Sequence, residues 1–363
     1  MRVALTFEQC WHRVPGGTAV AAIEVARALG RIPGVSPVGV SARHLRPAPP
    51  AFTPPVTCRQ LPFERHVLYE LWHQLGRARV ERAVGPVDVI HATGVAVPPR
   101  TAPVVYTVHD LAFLRNRSGF TRVGMRFFLA ALAAAMDRAD VVLCSSRATA
   151  EDCERAGFDP LRLRVVPLGV DAAPASVEEI AAARRRHGLD RPYVLWTGTV
   201  EPRKNLPTLV EAFRRLGRRD HDLVLVGPEG WNTDLAQIIE PVNESTHVVG
   251  FVPAAERNAL MAGAAAFCFP SLSEGFGLPV LEAMAQSAPV VTSAGTATEE
   301  VAGEAALVVD PTRPDALAEA LDAVLSDSAL AARLRAAGPA RAAQFTWART
   351  AQATVAAYRE ASA

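Results

Sequence analysis

Ser273–Met284 reads SEGFGLPVLEAM. Two carboxylates, Glu274 and Glu282, bracket a loop holding Gly275 and Gly277, and Pro279 and an apolar run follow. Proline suits the first turn of a helix, where its missing N–H costs nothing and its φ is already helical. The pattern therefore predicts a helix starting near Leu278–Val280. Its unpaired N–H groups and positive dipole end would point beyond Gly277, a ready site for phosphate. Glu282 falls about one turn into that helix, and Glu274 lies before the loop, on the other side of the same small space. An anion cradle between two acceptors of hydroxyl hydrogen bonds is what a sugar nucleotide requires. Compact apolar strands flank the stretch, Ala265–Pro270 before it and Pro289–Ser293 after it. Strand, loop, helix, strand is the unit from which parallel sheets are built.

Working outward, the same alternation fills the second half of the chain. Tyr193–Gly198 (YVLWTG), Leu223–Gly227, His247–Phe251 and Ala305–Val309 read as further strands, making about six. After the first of these, TVEPRKN (Thr199–Asn205) leads into a helix with Leu206, Leu209, Val210, Phe213 and Leu216 at helical spacing. Pro207 sits in its first turn and Gly217 at its end. Arg203 and Lys204 precede that helix, where their charges would add to its dipole at an anion site; a solvated surface pair is the plainer reading. Helices are expected over Asp234–Val242, Pro253–Gly263 and Thr346–Ser362.

The first half is also alternating. Arg2–Phe7, Val38–Ser41, Val87–His91, Val104–His109, Val141–Ser145 and Arg164–Pro167 give about six strands. Gly16-Gly17-Thr18 opens a helix after the first strand, as a cradle or as a plain turn, and lacks the spaced glycines of a dinucleotide fingerprint. Helices are expected over Glu64–Val84 and Ser146–Ala156, and Val35–Pro62 reads as proline-rich loop around one short strand. His91 and His109 each end a strand, where ligands of parallel sheets gather. His91 reads as a strand cap, and His109 as the functional candidate. Leu168–Arg191 breaks the alternation, and its Asp171–Ser176 part is small and Pro-containing, so the domain boundary belongs there. The expected organisation is 1–170, a linker over 171–191, a second domain over 192–345, and a last helix, 346–363, packing back on the first domain.

The chain has 363 residues, half of them apolar, and a formal net charge of +1. That suits two globular domains and gives no field to attract nucleic acid. Its five cysteines are scattered without the spacing of a zinc or redox site, which fits a reducing cytoplasm. The longest apolar runs fall well short of the ~20 residues that span a bilayer. Between Phe113 and Arg138, arginines interleave with phenylalanines (Phe113, Arg117, Phe120, Arg126, Phe127). This stretch reads as a solvated face over a core stripe, with peripheral contact to an anionic membrane as the alternative. Asp220-His221-Asp222, an acidic pair of the kind some metal-using enzymes carry, is expected on a surface turn.

Taken together, these motifs resemble the retaining glycosyltransferases of family 4, the glycosyl transferases group 1, and more narrowly their mannosyltransferase-like members. The resemblance runs through GTVEPRKNLPTLVEAF (Gly198–Phe213), LVGPEG (Leu225–Gly230), VVGFVP (Val248–Pro253), FPSLSEGFGLPVLEAMAQSAPVV (Phe269–Val291) and EEVAGEAALVVDP (Glu299–Pro311). It is looser in the first half, through GGTAVAAIEVARAL (Gly16–Leu29), YTVHD (Tyr106–Asp110) and PLGVD (Pro167–Asp171). It implies an α/β protein of the GT-B fold, two doubly wound Rossmann-like domains facing each other across a cleft. The first domain would bind the acceptor and the second the nucleotide sugar.

The resemblance also implies roles. Lys204 and Arg203 would hold the donor pyrophosphate and stabilise the charge left on it. Backbone at Gly277 and Leu278 would take phosphate oxygens, with Phe276 beside them and Gly16 or Gly17 completing the cradle. Glu282 would accept from the ribose, Glu274 from the transferred sugar, and His109 would lie beside that sugar. The Val249–Val252 segment would frame the base. Two departures stand out: Thr199 where many members carry arginine, and Thr298-Glu299-Glu300 where a proline is usual. The Gly-Thr form with PRKN is similar to enzymes that use GDP-linked mannose or related sugars. The implied reaction moves such a sugar to an acceptor hydroxyl on a glycan, glycolipid or small molecule, with retained configuration and no metal or other cofactor. A sugar-nucleotide epimerase or hydrolase, and a non-catalytic nucleotide-sugar-binding protein, are the competing classes. The acceptor would meet loops such as Arg43–Pro62 and Phe113–Gly124.

Overall fold

The computed structural model describes residues 1–115, 121–171, 173–218, 220–230 and 233–363. Arg117, Phe120 and part of the Phe113–Gly124 acceptor-loop candidate lie outside the described residues, as does Ala172. The described chain forms two compact units, Met1–Gly169 with Trp347–Ala363, and Val170–Thr346.

The first unit runs β1 (Arg2–Thr6), α1 (Gly16–Leu29), β2 (Ser36–Ser41), β3 (Cys58–Gln60), α2 (Arg65–His73), α3 (Glu81–Val84), β4 (Val89–Ala92), β5 (Val104–Val108), α4 (Ala112–Arg115), α5 (Arg122–Arg138), β6 (Val141–Cys144), α6 (Arg147–Ala156) and β7 (Leu163–Val165). Its seven strands are all parallel, in the order β3-β2-β1-β4-β5-β6-β7. Both faces of the sheet are covered, as an all-parallel sheet demands. Alternate residues of β5 divide the two cores: Val104, Tyr106 and Val108 on one side, Val105 on the other with Val3, Leu5, Val89 and helix α1. The last helix, α15 (Trp347–Ala361), buries Ala351, Val355 and Tyr358 in that second layer and packs against α1.

The second unit runs α7 (Val177–Arg186), β8 (Tyr193–Thr197), α8 (Leu206–Leu216), β9 (Asp222–Val226), α9 (Leu235–Ile239), β10 (Thr246–Gly250), α10 (Ala254–Ala262), β11 (Ala266–Phe269), α11 (Leu278–Ala285), β12 (Val290–Ser293), α12 (Ala297–Ala302), β13 (Ala306–Val309), α13 (Pro314–Ser326) and α14 (Ser328–Ala342). Six parallel strands take the order β10-β9-β8-β11-β12-β13. Residues 171–191 belong to this unit, where α7 packs on α10. Among the described residues, no helix is long and apolar enough to cross a membrane.

Several expectations give way. The first sheet has seven strands rather than six, because Cys58–Gln60 joins β2 as a three-residue edge strand. The expected helix over Glu64–Val84 breaks after His73, where Gly76 and Ala78 take φ of 57° and 65°, a turn no helix can carry. The expected helix over Asp234–Val242 ends at Ile239 and tightens into a 3-10 segment that begins Glu240-Pro241. In the arginine-rich stretch, Phe113 stacks on Phe128, and Phe127 stacks on Tyr69 and meets His73. Arg138 donates to the Trp72 carbonyl and Arg115 pairs with Asp152. These phenylalanines are committed to packing within the unit.

Candidate active site

In both sheets the strand order reverses next to the first strand, between β1 and β4 and between β8 and β11. Crevices at such reversals, beyond the carboxyl ends of the strands, are where doubly wound sheets bind ligands. In the second unit the segments leaving those two strands are Gly198–Asn205 and Pro270–Gly277. They are the two segments whose charged residues stand out in the sequence.

The two loops are tied together. Leu272 N–H donates to the Arg203 carbonyl at 2.8 Å, and Ser271 Oγ lies 3.0 Å from the same oxygen. Asn205, at φ 55°, caps the loop ahead of α8, and its amide donates to the carbonyls of Pro270 and Pro311. A left-handed non-glycine residue is most often asparagine, whose short side chain makes such bonds locally. On this frame, the Glu274 carboxylate receives Lys204 Nζ at 2.5 Å, Arg203 Nη1 at 3.0 Å and Ser271 Oγ at 2.6 Å. Arg203 also reaches Glu201, at 2.8 Å, and the Ser273 carbonyl. Lys204 Nζ stands 4.9 Å from the Phe269 ring centroid, a cation over an aromatic face.

The cluster is buried, with the Lys204 and Glu274 side chains 9% and 8% exposed. Burial pushes the Glu274 carboxyl up, but Arg203 and Lys204 outweigh it and hold the group down at about 2. Burial, joined by the neighbouring Arg203 charge, lowers Lys204. The asymmetry is physical: Glu274 faces two cations and a hydroxyl, whereas Lys204 has one carboxylate in direct contact and a guanidinium beside it.

Helix α11 starts at Leu278 with Pro279 in its first turn, as its sequence requires. Gly277 precedes it at φ 99°, and a Cβ there would lie 2.6 Å from Thr298 Cγ2. The backbone thus passes against Thr298, in the segment that departs from the usual proline. Pro279 has no N–H, and the Val280 and Leu281 N–H groups both donate to the Gly277 carbonyl, at 3.0 and 3.3 Å, so the N–H groups left for an anion at this helix start are those of Gly277 and Leu278. Glu282, one turn in, accepts from Arg257 Nη2 at 2.6 Å. Burial raises the Glu282 pKa while Arg257 opposes it. Phe276, by contrast, is 5% exposed and packs edge-on to Phe345, so its ring is part of the core and only its backbone is available to a ligand. Val249 is half-buried in β10, the edge strand of this sheet.

The remaining candidates belong to the first unit. Gly16, at φ 63°, and Gly17 are the first two residues of α1. His109 follows β5 directly, and its Nε2 donates to the Thr93 carbonyl at 3.0 Å. Burial lowers its pKa. His91 is more than a strand cap: it is buried between the Tyr358 hydroxyl at 2.6 Å and Thr107 Oγ1 at 2.7 Å. The expectation that Asp220-His221-Asp222 is a surface turn fails for two of its three members. Asp222 opens β9 at 2% exposure and pairs with Arg191 and His247, and His221 is buried beside Asp220. Its position in a central strand, not its polarity, decides its burial. Among the described residues no group of three or more His, Cys, Asp or Glu converges as a metal set.

Glu201, Asn205, Arg257 and Ser271 complete the site and did not stand out in the sequence. Asn205 and Arg257 act on partners tens of residues away, whereas Glu201 lies two residues before Arg203 and Ser271 three residues before Glu274.

Known proteins give the same picture. The family models for Glycosyl transferases group 1 and Glycosyltransferase Family 4 match residues 178–341 and 15–174. The chain is 32% identical to an O-antigen chain mannosyltransferase B of Escherichia coli, over 75% of this chain and 74% of that one. It is 30% identical to a D-inositol 3-phosphate glycosyltransferase of Kribbella flavida, over 96% and 91% of the two chains. Among solved structures, HepE of Anabaena in complex with UDP and glucose superposes with a TM-score of 0.76 at 19% identity, covering 98% of each chain. WaaG, a glycosyltransferase involved in lipopolysaccharide biosynthesis, gives 0.77 at 19% identity over 98% of each chain. With two parallel-sheet Rossmann-like units, and relatives matched over most of their length, the chain belongs to the family 4 glycosyltransferases and has the GT-B fold.

Proposed function

We propose that this glycosyltransferase moves a hexose, mannose or a related sugar, from a GDP-linked donor to an acceptor hydroxyl, with retention of anomeric configuration and without a metal. The observation that carries the reading is the Lys204–Arg203–Glu274 cluster at the strand-order reversal of the second sheet, beside the start of α11. A diphosphate brings the charge that a buried lysine, a half-buried arginine and a helix N-terminus are arranged to meet. As the bond from sugar to phosphate breaks, negative charge grows on the leaving oxygen. Lys204 and Arg203 offset it from fixed positions in a low-dielectric setting, where such stabilisation is largest. Glu282 accepts from the ribose hydroxyls and Glu274 from hydroxyls of the sugar, and His109 is the further sugar contact that the family resemblance implies. With no nucleophile among the motif residues, the acceptor attacks from the face the phosphate leaves, and the phosphate assists its deprotonation.

The GDP assignment is supported by the PRKN segment with Thr199 and by the mannosyltransferase relative. Thermal shift with GDP, UDP and ADP tests it, because a ligand that binds only the native chain raises its melting temperature. The largest shift is expected with GDP, and a larger one with UDP overturns the assignment. Turnover of GDP-mannose with acceptor absent would instead favour an epimerase or hydrolase. Loss of turnover in EDTA, restored by a divalent cation, would end the metal-independent reading. A sugar trapped covalently on a side chain would end the front-face one.

A further inference from the structure

A cavity in the first unit lies between α1, the carboxyl ends of the central strands and α15, and its lining includes His91, Thr93, Thr107 and His109. Behind it runs a buried chain of three polar groups. The Tyr358 hydroxyl on α15 meets His91 Nδ1 at 2.6 Å, and His91 Nε2 meets Thr107 Oγ1 at 2.7 Å. Burial, with His109 nearby, holds His91 far below its ordinary pKa, so the ring is neutral and only one nitrogen carries a proton.

The direction of this chain is decided by where its last proton ends. If His91 donated from Nδ1 to Tyr358, Thr107 would donate to Nε2 and the Tyr358 O–H would have no acceptor among the described residues. That hydroxyl is on a fully buried side chain, and an unmet donor there carries the full desolvation cost. In the opposite sense Tyr358 donates to Nδ1, Nε2–H donates to Thr107, and the leftover proton is on Thr107, which lines the cavity. The second arrangement leaves its free donor where a ligand can meet it. His109, two residues on, donates Nε2–H to the Thr93 carbonyl, so in the neutral ring Nδ1 is an acceptor. Thr107 as donor and His109 as acceptor, on one cavity, match a single alcohol group, which accepts through its oxygen and donates through its proton.

We propose that Tyr358 sets, through His91, the direction of the Thr107 hydroxyl, and that Thr107 with His109 recognises one hydroxyl of a carbohydrate substrate. Tyr358 and His91 are positioning residues, and Thr107 is the group that touches the ligand. The carbohydrate class rests on the glycosyltransferase reading above, and the hydroxyl belongs to the transferred sugar or to the acceptor.

The test uses the full chain. Long-range proton–nitrogen spectra of 15N-histidine protein at neutral pH read the tautomers directly, with no ligand required. His91 and His109 are both expected as neutral Nε2–H rings, and Tyr358→Phe should leave His91 a mixture while Thr107→Val does not. Calorimetry with GDP and GDP-mannose, and saturation-transfer spectra with methyl α-D-mannopyranoside as an acceptor probe, read the binding. Thr107→Val should weaken one sugar ligand about tenfold, the net worth of one ordinary hydrogen bond, with GDP affinity unchanged, and Thr107→Ser should restore most of the loss. Weakening of GDP-mannose assigns the hydroxyl to the transferred sugar, and weakening of the mannoside alone assigns it to the acceptor. A His91 found as Nδ1–H, or a Thr107→Val variant that binds both sugars as wild type does, overturns the proposal. If the wild-type chain binds neither GDP nor GDP-mannose, the donor reading fails, and the tautomers still decide the relay.

Discussion

Lys204 and Glu274, 70 positions apart in the chain, meet at 2.5 Å with Arg203 as the second cation on the same carboxylate. A charge pair so buried is held by fixed geometry rather than by solvent, and removing one partner is costly. Lys204→Ala should lower turnover by a factor of roughly a hundred to a thousand, the loss seen when one preorganised donor to a developing charge is deleted. Because Arg203 and Ser271 still satisfy Glu274, the stability loss should be smaller, about 1–3 kcal/mol. Steady-state rates and urea unfolding on the same variant separate the two, and wild-type kcat would remove Lys204 from the site.

The same cluster predicts an acid limit for the second unit. Glu274 is held near 2, below its ordinary 4.5, so the unfolded chain binds its proton first as pH falls. The stabilisation is complete above about pH 4.5 and is lost as pH falls through the folded value near 2. It amounts to on the order of 3 kcal/mol. Glu274→Gln should flatten the stability profile of the chain between pH 4.5 and 2, measured by denaturant unfolding across that range.

Glu282 and Arg257 should separate binding from chemistry. Glu282→Ala deletes a buried acceptor and leaves Arg257 without its carboxylate. GDP affinity is expected to fall at least tenfold, by calorimetry, with kcat at saturating donor changed less than in Lys204→Ala. Equal GDP affinity in wild type and variant would reassign Glu282 as a partner of Arg257 only.

Gly277→Ala tests the turn into α11. The new residue would need φ 99° and would place Cβ 2.6 Å from Thr298 Cγ2. Backbone strain and overpacking together predict a loss of about 2–4 kcal/mol. Adding Thr298→Ser removes the clashing methyl and should recover part of that loss, leaving the φ cost. Urea midpoints of the single and double variants measure the split.

The first unit should be sensitive at a higher pH than the second. Burial depresses His91 to about 3, and His12 and His73 to about 4, against an ordinary 6.5. The unfolded chain therefore takes up protons first, so stability is complete above about pH 6.5 and falls as pH drops toward those values. For His91 alone the range is on the order of 5 kcal/mol. His91→Gln should make the melting temperature less steep between pH 6.5 and 4, by calorimetric scans.

How much of this was legible in sequence follows from range. The six strands of the second sheet and the start of α11 are local matters, set by short apolar runs, Gly277 and Pro279. The three-residue strand β3 was not legible, because it carries no apolar alternation and gains its identity only by pairing with β2. The break after α2 was not read, although Gly76 lies in it, and the left-handed Ala78 carries no sequence signal. Lys204, Glu274 and Glu282 stood out by charge at a helix start. Arg257 and Asn205 did not, since their partners arrive from 25 to 106 positions away. Tyr358, 267 positions from His91, is the extreme case.

The first unit is assembled from two pieces of chain, Met1–Gly169 and Trp347–Ala363. Synthesis on a ribosome must pass through all of Val170–Thr346 before α15 exists. Until then the layer that Ala351, Val355 and Tyr358 complete is open, and His91 Nδ1 has no hydroxyl to meet. The second unit, continuous in sequence, is free to fold as it emerges, whereas the first waits for the final turns of the chain. A nascent polypeptide stalled before Trp347 should therefore resist protease in its later half and be cut in its earlier one.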